Sequence, residues 1–217
     1  MTSTDTRSRL TRDRILDAAI ELADARGVDA LSMRKLAKHL GFEVMSLYNH
    51  VANKEDLFDA MVDRVAAEIV APPPGAGWKR AARAIAISAH EALLRHRWAG
   101  ALWMTQWPGR HRWLHMERLL AVLAEAGLED DLADLGFHAI TLHVGGFTQQ
   151  QLSYEMDEQR SSEIFERFTR EVRAEEFPHV VDHVRYHQEV EERDEKPRDE
   201  FAFVLDLILD GLERAAE

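Results

Sequence analysis

The chain has 217 residues, no cysteine and a formal net charge of -12 at pH 7. This length suffices for one large domain or two small ones with a buried core, and the absence of thiols excludes disulfides and thiolate metal sites. No apolar run approaches the roughly 18 residues of a membrane-spanning helix and the first residues, MTSTDTRSRL, hold no apolar signal segment, so the chain is expected to be soluble and cytoplasmic with no membrane partner.

The charge is unevenly spread. Residues 1–54 carry nine Lys and Arg against seven Asp and Glu, whereas the remainder carries 18 against 32. Exposed charges are screened beyond about 8 Å at physiological salt, so the mildly positive N-terminal segment acts locally despite the acidic total. An acidic body disfavours lying along DNA, which confines any nucleic-acid contact to one end of the molecule.

Residues 1–9 are polar and contain Arg7 and Arg9. They read as a frayed terminus or as a basic arm reaching phosphates. A first helix is expected from about Leu10 to Arg26, with Ile15, Ala19 and Leu22 on one face and Gly27 as its stop. The stretch SMRKLAKHLGFEVMSLYNH, Ser32 to His50, then reads as two short helices around a turn at Gly41, where a left-handed conformation costs glycine little. Ser32 suits the cap of the second helix. Leu36, Ala37 and Leu40 form one apolar stripe, and Phe42, Leu47 and Val51 form another. Stripes at this spacing pack against each other and leave Arg34, Lys38, Val44, Met45, Ser46, Tyr48, Asn49 and His50 outside. This is a helix-turn-helix whose second helix is the reading helix of a DNA-binding head. Asn53, with Asp56 three residues on, caps a fourth helix carrying Leu57, Met61 and Val65.

The run Ala71-Pro-Pro-Pro-Gly-Ala-Gly ends that unit, because three prolines cannot continue a helix. Beyond it, helices are expected over about Trp78–His96, Ala99–Gln106, Arg112–Ala126, Asp130–Met156, Ser162–Ala174 and Pro178–Glu191. A charged loop over Glu189–Glu200 precedes a last helix, about Asp199–Ala215. That helix has an apolar stripe of Phe201, Val204, Leu205, Ile208, Leu209 and Leu212. There is no strand signal and no internal repeat. The fold class is all-α, with a helix-turn-helix domain at 1–56, a connecting helix at 57–70 and a helical domain at 76–217.

The eighth and last helices are too apolar for surface helices. On the eighth, His138, Thr141, Leu142 and Gly145 share one face, while Leu135, Ala139, His143 and Gly146 share its neighbour. Either both faces are core of a single bundle, or the first lines the subunit interior and the second pairs with another copy. Helix-turn-helix units commonly read two half-sites as dimers, which favours a homodimer. Its interface would hold Leu135, Ala139, His143 and Gly146 with Val204, Leu205, Ile208 and Leu212.

The N-terminal segment LTRDRILDAAIELADARGVDALSMRKLAKHLGFEVMSLYNHVANKEDLFDAMVDRV resembles the DNA-binding domain of the TetR family of transcriptional repressors over nearly every position. The second half, in ALLRHR near residue 94, GGFT from Gly145 and the final FAFVLDLILDGLERAAE, is similar to the tetracycline-repressor branch. The resemblance implies a dimeric regulator bound to a palindromic double-stranded operator and released by a small-molecule effector held in a pocket among the fifth to eighth helices of each subunit. By position, it places Arg34, Val44 and Met45 at base edges and Ser32, Ser46, Tyr48, His50 and Lys54 at phosphates. Arg34 can grip guanine bidentately, whereas Val44 and Met45 read only thymine methyls or shape, if they are not simply surface residues.

Where the tetracycline branch has metal-chelating side chains, this chain has Val70, Trp103 and Tyr154. A metal-drug chelate is therefore not expected. Trp103, Trp107, Trp113 and Met116, with Met104 near them and His138 and Thr141 opposite, suit a flat, largely hydrophobic effector, or else simply fill a core. His179, His183 and His187, four apart on one helix, offer an alternative function as a metal-binding enzyme, or a solvated helix face. His111 and His115 share the spacing. No phosphate loop and no catalytic constellation is present, so no cofactor and no enzymatic activity are expected.

Overall fold

The computed structural model describes residues 9–154, 158–192 and 199–217. Among these, eleven α-helices and no strand are found. They are α1 Arg12–Arg26, α2 Met33–Leu40, α3 Val44–Tyr48, α4 Lys54–Ala66, α5 Trp78–Arg95, α6 Arg97–Trp103, α7 Arg110–Glu125, α8 Asp130–Tyr154, α9 Glu158–Glu171, α10 Pro178–Glu192 and α11 Glu200–Ala215. No helix among the described residues is long and apolar enough to cross a membrane. Most of the N-terminal arm and of the charged loop before α11, residues 1–8 and 193–198, lies outside the described residues.

The head is built by local rules. Thr11 starts α1 by accepting the Arg14 N–H, and Ser32 starts α2 by accepting the Lys35 N–H at 3.3 Å. Gly41 ends α2 in the left-handed region at φ 76°, ψ 29°, a conformation that costs a side-chain-bearing residue about 1 kcal/mol or more. Ile15, Ala19, Leu36, Ala37, Leu47 and Val51 then meet in a closed core. Asn53 caps α4 by accepting the Asp56 N–H at 2.7 Å.

In the body, α5, α7, α8 and α11 pack on one another around Ile85, Leu93, Leu119, Leu123, Ile140, Leu205 and Leu209. α6 begins earlier than expected, because the chain turns at His96 rather than two residues later. The buried row of α8 is Gly136, Ile140, Val144 and Thr148, which belongs to neither of the two expected faces. Gly136 lets α8 come close to α11: a β-carbon there would lie 3.0 Å from the tip of the Leu212 side chain, a tight contact. This close approach of α8 to α11 is within one subunit. It overturns part of the expected interface, since Leu205 is 0% exposed and Leu212 is also buried in its own core. His143 is likewise engaged internally, its ring stacked on Phe201 and its Nε2 2.9 Å from the Phe201 carbonyl. Leu135, Leu142, Phe203, Val204 and Leu207 are exposed instead.

Candidate nucleic-acid interface and effector site

Burying Leu47 and Val51 against α1 and α2 turns the other side of α3 outward. Met45 is 72% exposed, and Tyr48 and Arg34 are exposed with it. Val44 and Ser46 are half-buried, so the expected fully exposed Val-Met pair is reduced to Met45 with only the edge of Val44. Ser32 is half-buried with its hydroxyl oxygen engaged as the α2 cap. Lys54 opens α4 on the exposed surface, its ammonium 4.9 Å from the centre of the Phe58 ring.

The end of the reading helix is fixed by a contact across 44 residues, between Arg12 and Asp56, that sequence spacing does not encode. Arg12 donates to both Asp56 carboxylate oxygens, at 2.8 and 3.2 Å, and to the His50 carbonyl at 2.7 Å. Asp56 also accepts the Ala52 N–H at 2.8 Å. The Arg12 hydrogen bonds outweigh partial burial and hold the Asp56 carboxyl below its ordinary value. The start of α1, the end of α3 and the start of α4 are thereby joined at one point.

Two further sets of contacts join head to body. His96 Nδ1 is 2.9 Å from Asp24 of α1, and its Nε2 is 2.9 Å from Glu68, just beyond α4. Trp98 donates its indole N–H to Asp24, and Arg95 donates to Glu68. Burial alone would raise the Glu68 carboxyl, but hydrogen bonds from His96 and Arg95 bring it below its usual value. On the other side of α4, Asp63 accepts the backbone N–H groups of His111 and Arg112, at 2.8 and 2.9 Å, and sits 2.9 Å from His111 Nδ1. Asp59 accepts the Trp107 N–H. Gly109 lacks a side chain where a β-carbon would collide with the Asp63 carboxylate. Four backbone or side-chain groups around the start of α7 thus hang on α4.

The residues expected to gather around a ligand are only partly brought together. Trp103 is half-buried, with the Arg112 guanidinium 5.0 Å from its ring centre and the buried His115 ring edge-on at 6.1 Å. Arg112 also donates to the Gln106 and Trp103 carbonyls. Met116 is half-buried, but Trp107 is 74% and Trp113 49% exposed. The inward row of α7 is Arg112, His115, Leu119, Val122 and Leu123, one helical step away from Trp113. His138 belongs to the outer face of α8 beside Leu135 and Leu142, with Asp134 3.7 Å away, and so does not oppose Trp103 as expected. Thr141 donates its hydroxyl to the Phe137 carbonyl at 2.8 Å. The side chain of Tyr154 lies outside the described residues.

On α10 the rings of His183 and His187 meet edge-on at 4.6 Å. Among the described residues, however, no three His, Asp or Glu side chains come close enough to hold a metal ion. The His179, His183 and His187 alternative therefore finds no support in this geometry.

The family model described as "Bacterial regulatory proteins, tetR family" matches residues 15–61, and "Tetracyclin repressor-like, C-terminal domain" matches residues 71–216. The chain belongs to the TetR family of transcriptional repressors. The HTH-type transcriptional repressor DrrR1 of Streptomyces coeruleorubidus is 33% identical over 211 residues, covering 94% of this chain and 77% of that one. The tetracycline repressor protein class D of Escherichia coli is 36% identical over 137 residues, 62% of each chain. Among solved structures, ActR of Streptomyces coelicolor in complex with actinorhodin superposes with a TM-score of 0.77 at 30% identity, covering 96% of this chain and 99% of that one. The TetR assignment makes the α2–α3 unit the DNA-binding element and the α5–α11 unit the repressor-like C-terminal domain.

Proposed function

We propose that this TetR-family repressor acts as a homodimer on a palindromic operator and leaves it when a small, largely hydrophobic or aromatic effector enters the C-terminal domain. Two reading heads, each presenting Arg34, Met45 and the edge of Val44 to bases, would hold phosphates with Lys54, Tyr48, Ser32, Ser46 and His50. The outer stripe of Leu135 and Leu142 on α8 with Phe203, Val204 and Leu207 on α11 supports pairing with a second copy, since these apolar side chains are exposed in the single chain. Ala139, Gly146 and Ile208 flank that stripe. The likeness to ActR, a relative solved with actinorhodin, supports a small-molecule effector.

The observation that carries the release mechanism is the attachment of the start of α7 to Asp63 of α4. An effector that moves α7 or the Trp103–Gln106 segment pulls on α4, and α4 carries the head through Asp56, bonded to Arg12, and through Arg64, which donates to Asp17 of α1 at 3.0 Å. Effector and operator then compete through one conformational equilibrium. The coupling is typically about 1–3 kcal/mol and is equal in both directions. Asp63→Ala provides the test. Operator affinity and effector binding, each measured alone, should persist, while the loss of operator affinity caused by effector should shrink. Undiminished release in Asp63→Ala would refute this route.

A further inference from the structure

His115 stands on the inward row of α7 and is 8% exposed. Its Nδ1 has no hydrogen-bond partner, and it is the single buried side-chain nitrogen or oxygen in that condition among the described residues. Buried polar atoms are almost always paired, because an unpaired one has given up water and received nothing in return. Such an atom is open to a partner from outside the chain.

Its surroundings restrict what that partner can be. Trp103 lies edge-on to the imidazole at 6.1 Å, and Arg112 fixes the indole by lying over its ring and bonding its carbonyl. Burial, aided by the charges of Arg118 and Arg112, pushes the imidazole down to about 4, so it is neutral at physiological pH. A neutral imidazole has one donor and one acceptor nitrogen. An ammonium only donates and a carboxylate only accepts, so each suits one tautomer of Nδ1 and not the other. A hydroxyl does both and satisfies Nδ1 in either tautomer.

We propose that Nδ1 of His115 is the polar anchor of the effector site and that it takes a hydroxylated aromatic molecule, whose ring packs beside Trp103 while its hydroxyl hydrogen-bonds Nδ1. The assignment rests on the effector-responsive reading above and names the ligand class of that site. Placing the anchor at His115 moves the site inward from the exposed Trp107 and Trp113 to the half-buried Trp103.

The test uses β-naphthol and its methyl ether as probes, read by tryptophan fluorescence of the full chain. The wild type should bind the naphthol about tenfold more tightly than the ether, the worth of one hydrogen bond to a buried group. His115→Phe, which fills similar space, should bind both alike. Nitrogen NMR of the wild-type imidazole gives an independent readout, since the His115 Nδ1 resonance should move with naphthol and not with the ether. Equal binding in the wild type, a preference surviving in His115→Phe, an unmoved Nδ1 resonance or no binding of either probe would each overturn the assignment. Operator binding is followed in parallel. Naphthol that binds with the expected preference but leaves the operator bound defeats the release reading and leaves the His115 assignment standing.

Discussion

Replacing Asp56 should loosen the reading head in a way whose size and pH dependence follow from its contacts. The Arg12–Asp56 pair is bidentate, but the side chains are 44% and 33% exposed, and pairs exposed to that degree contribute about 0.2–1 kcal/mol. The carboxylate also accepts the Ala52 N–H, a partly solvated charged bond worth about 1 kcal/mol. It further sits in the first turn of α4, where a negative charge adds about 0.3–1 kcal/mol. Asp56→Ala should therefore cost about 2 kcal/mol, a fall in Tm of about 4–8 °C for a chain of this size. Asp56→Asn keeps an acceptor for Ala52 and should cost about half as much. The carboxyl is held below its ordinary value of 3.8 in the folded protein. Its stabilisation is thus fully present above the unfolded value and is lost as pH falls through the folded one. Thermal unfolding followed from pH 7 down to about pH 3 should show the gap between wild type and Asp56→Asn constant near neutrality and closing at the acid end. A variant as stable as the wild type at pH 7, or a gap that does not narrow on acidification, would refute the reasoning.

Lys54→Ala should weaken binding to every operator alike and reduce the slope of log affinity against log salt by about one unit; titrations at several salt concentrations check this, and an unchanged slope removes Lys54 from the interface. Leu142→Glu and Leu205→Ala should separate the outer stripe from the core. The first should shift sedimentation towards monomer with little change in the unfolding of the subunit itself, and the second should cost about 2–5 kcal/mol of subunit stability by opening a cavity. The reverse pattern would restore Leu205 to a subunit interface.

Most of the head could be read in the sequence because its determinants are local. Gly41, the Ser32 and Asn53 caps and the Leu36, Ala37, Leu47 and Val51 stripe act within a few residues of themselves, so spacing alone locates them. The latch between Arg12 and Asp56 and the clasp of His96 with Asp24 and Glu68 join residues 28 to 72 positions apart. No periodicity encodes which surface charge meets which across that separation. In α8 the inward row contains Gly136 and Thr148, so hydropathy gives it little contrast with the outer row of Leu135 and Leu142. Gly136 packs against Leu212 on this row, and His138 is left on the outer face. In α7 the bulkiest residue, Trp113, is 49% exposed, while an inward position goes to His115, whose polar ring carries no apolar signal. Only the Leu119, Val122 and Leu123 part of that inward row has the apolar spacing that a sequence displays.

The most direct measurement is a hydroxyl-radical footprint on the DNA flanking the protein's own gene, at low salt, with the protein-to-duplex stoichiometry determined alongside. Two protected stretches related by twofold symmetry, one helical turn or a small multiple apart and formed by two chains per site, are the expected result. Protection by a single chain on one half-site, or none on any double-stranded fragment, would contradict a paired reading head.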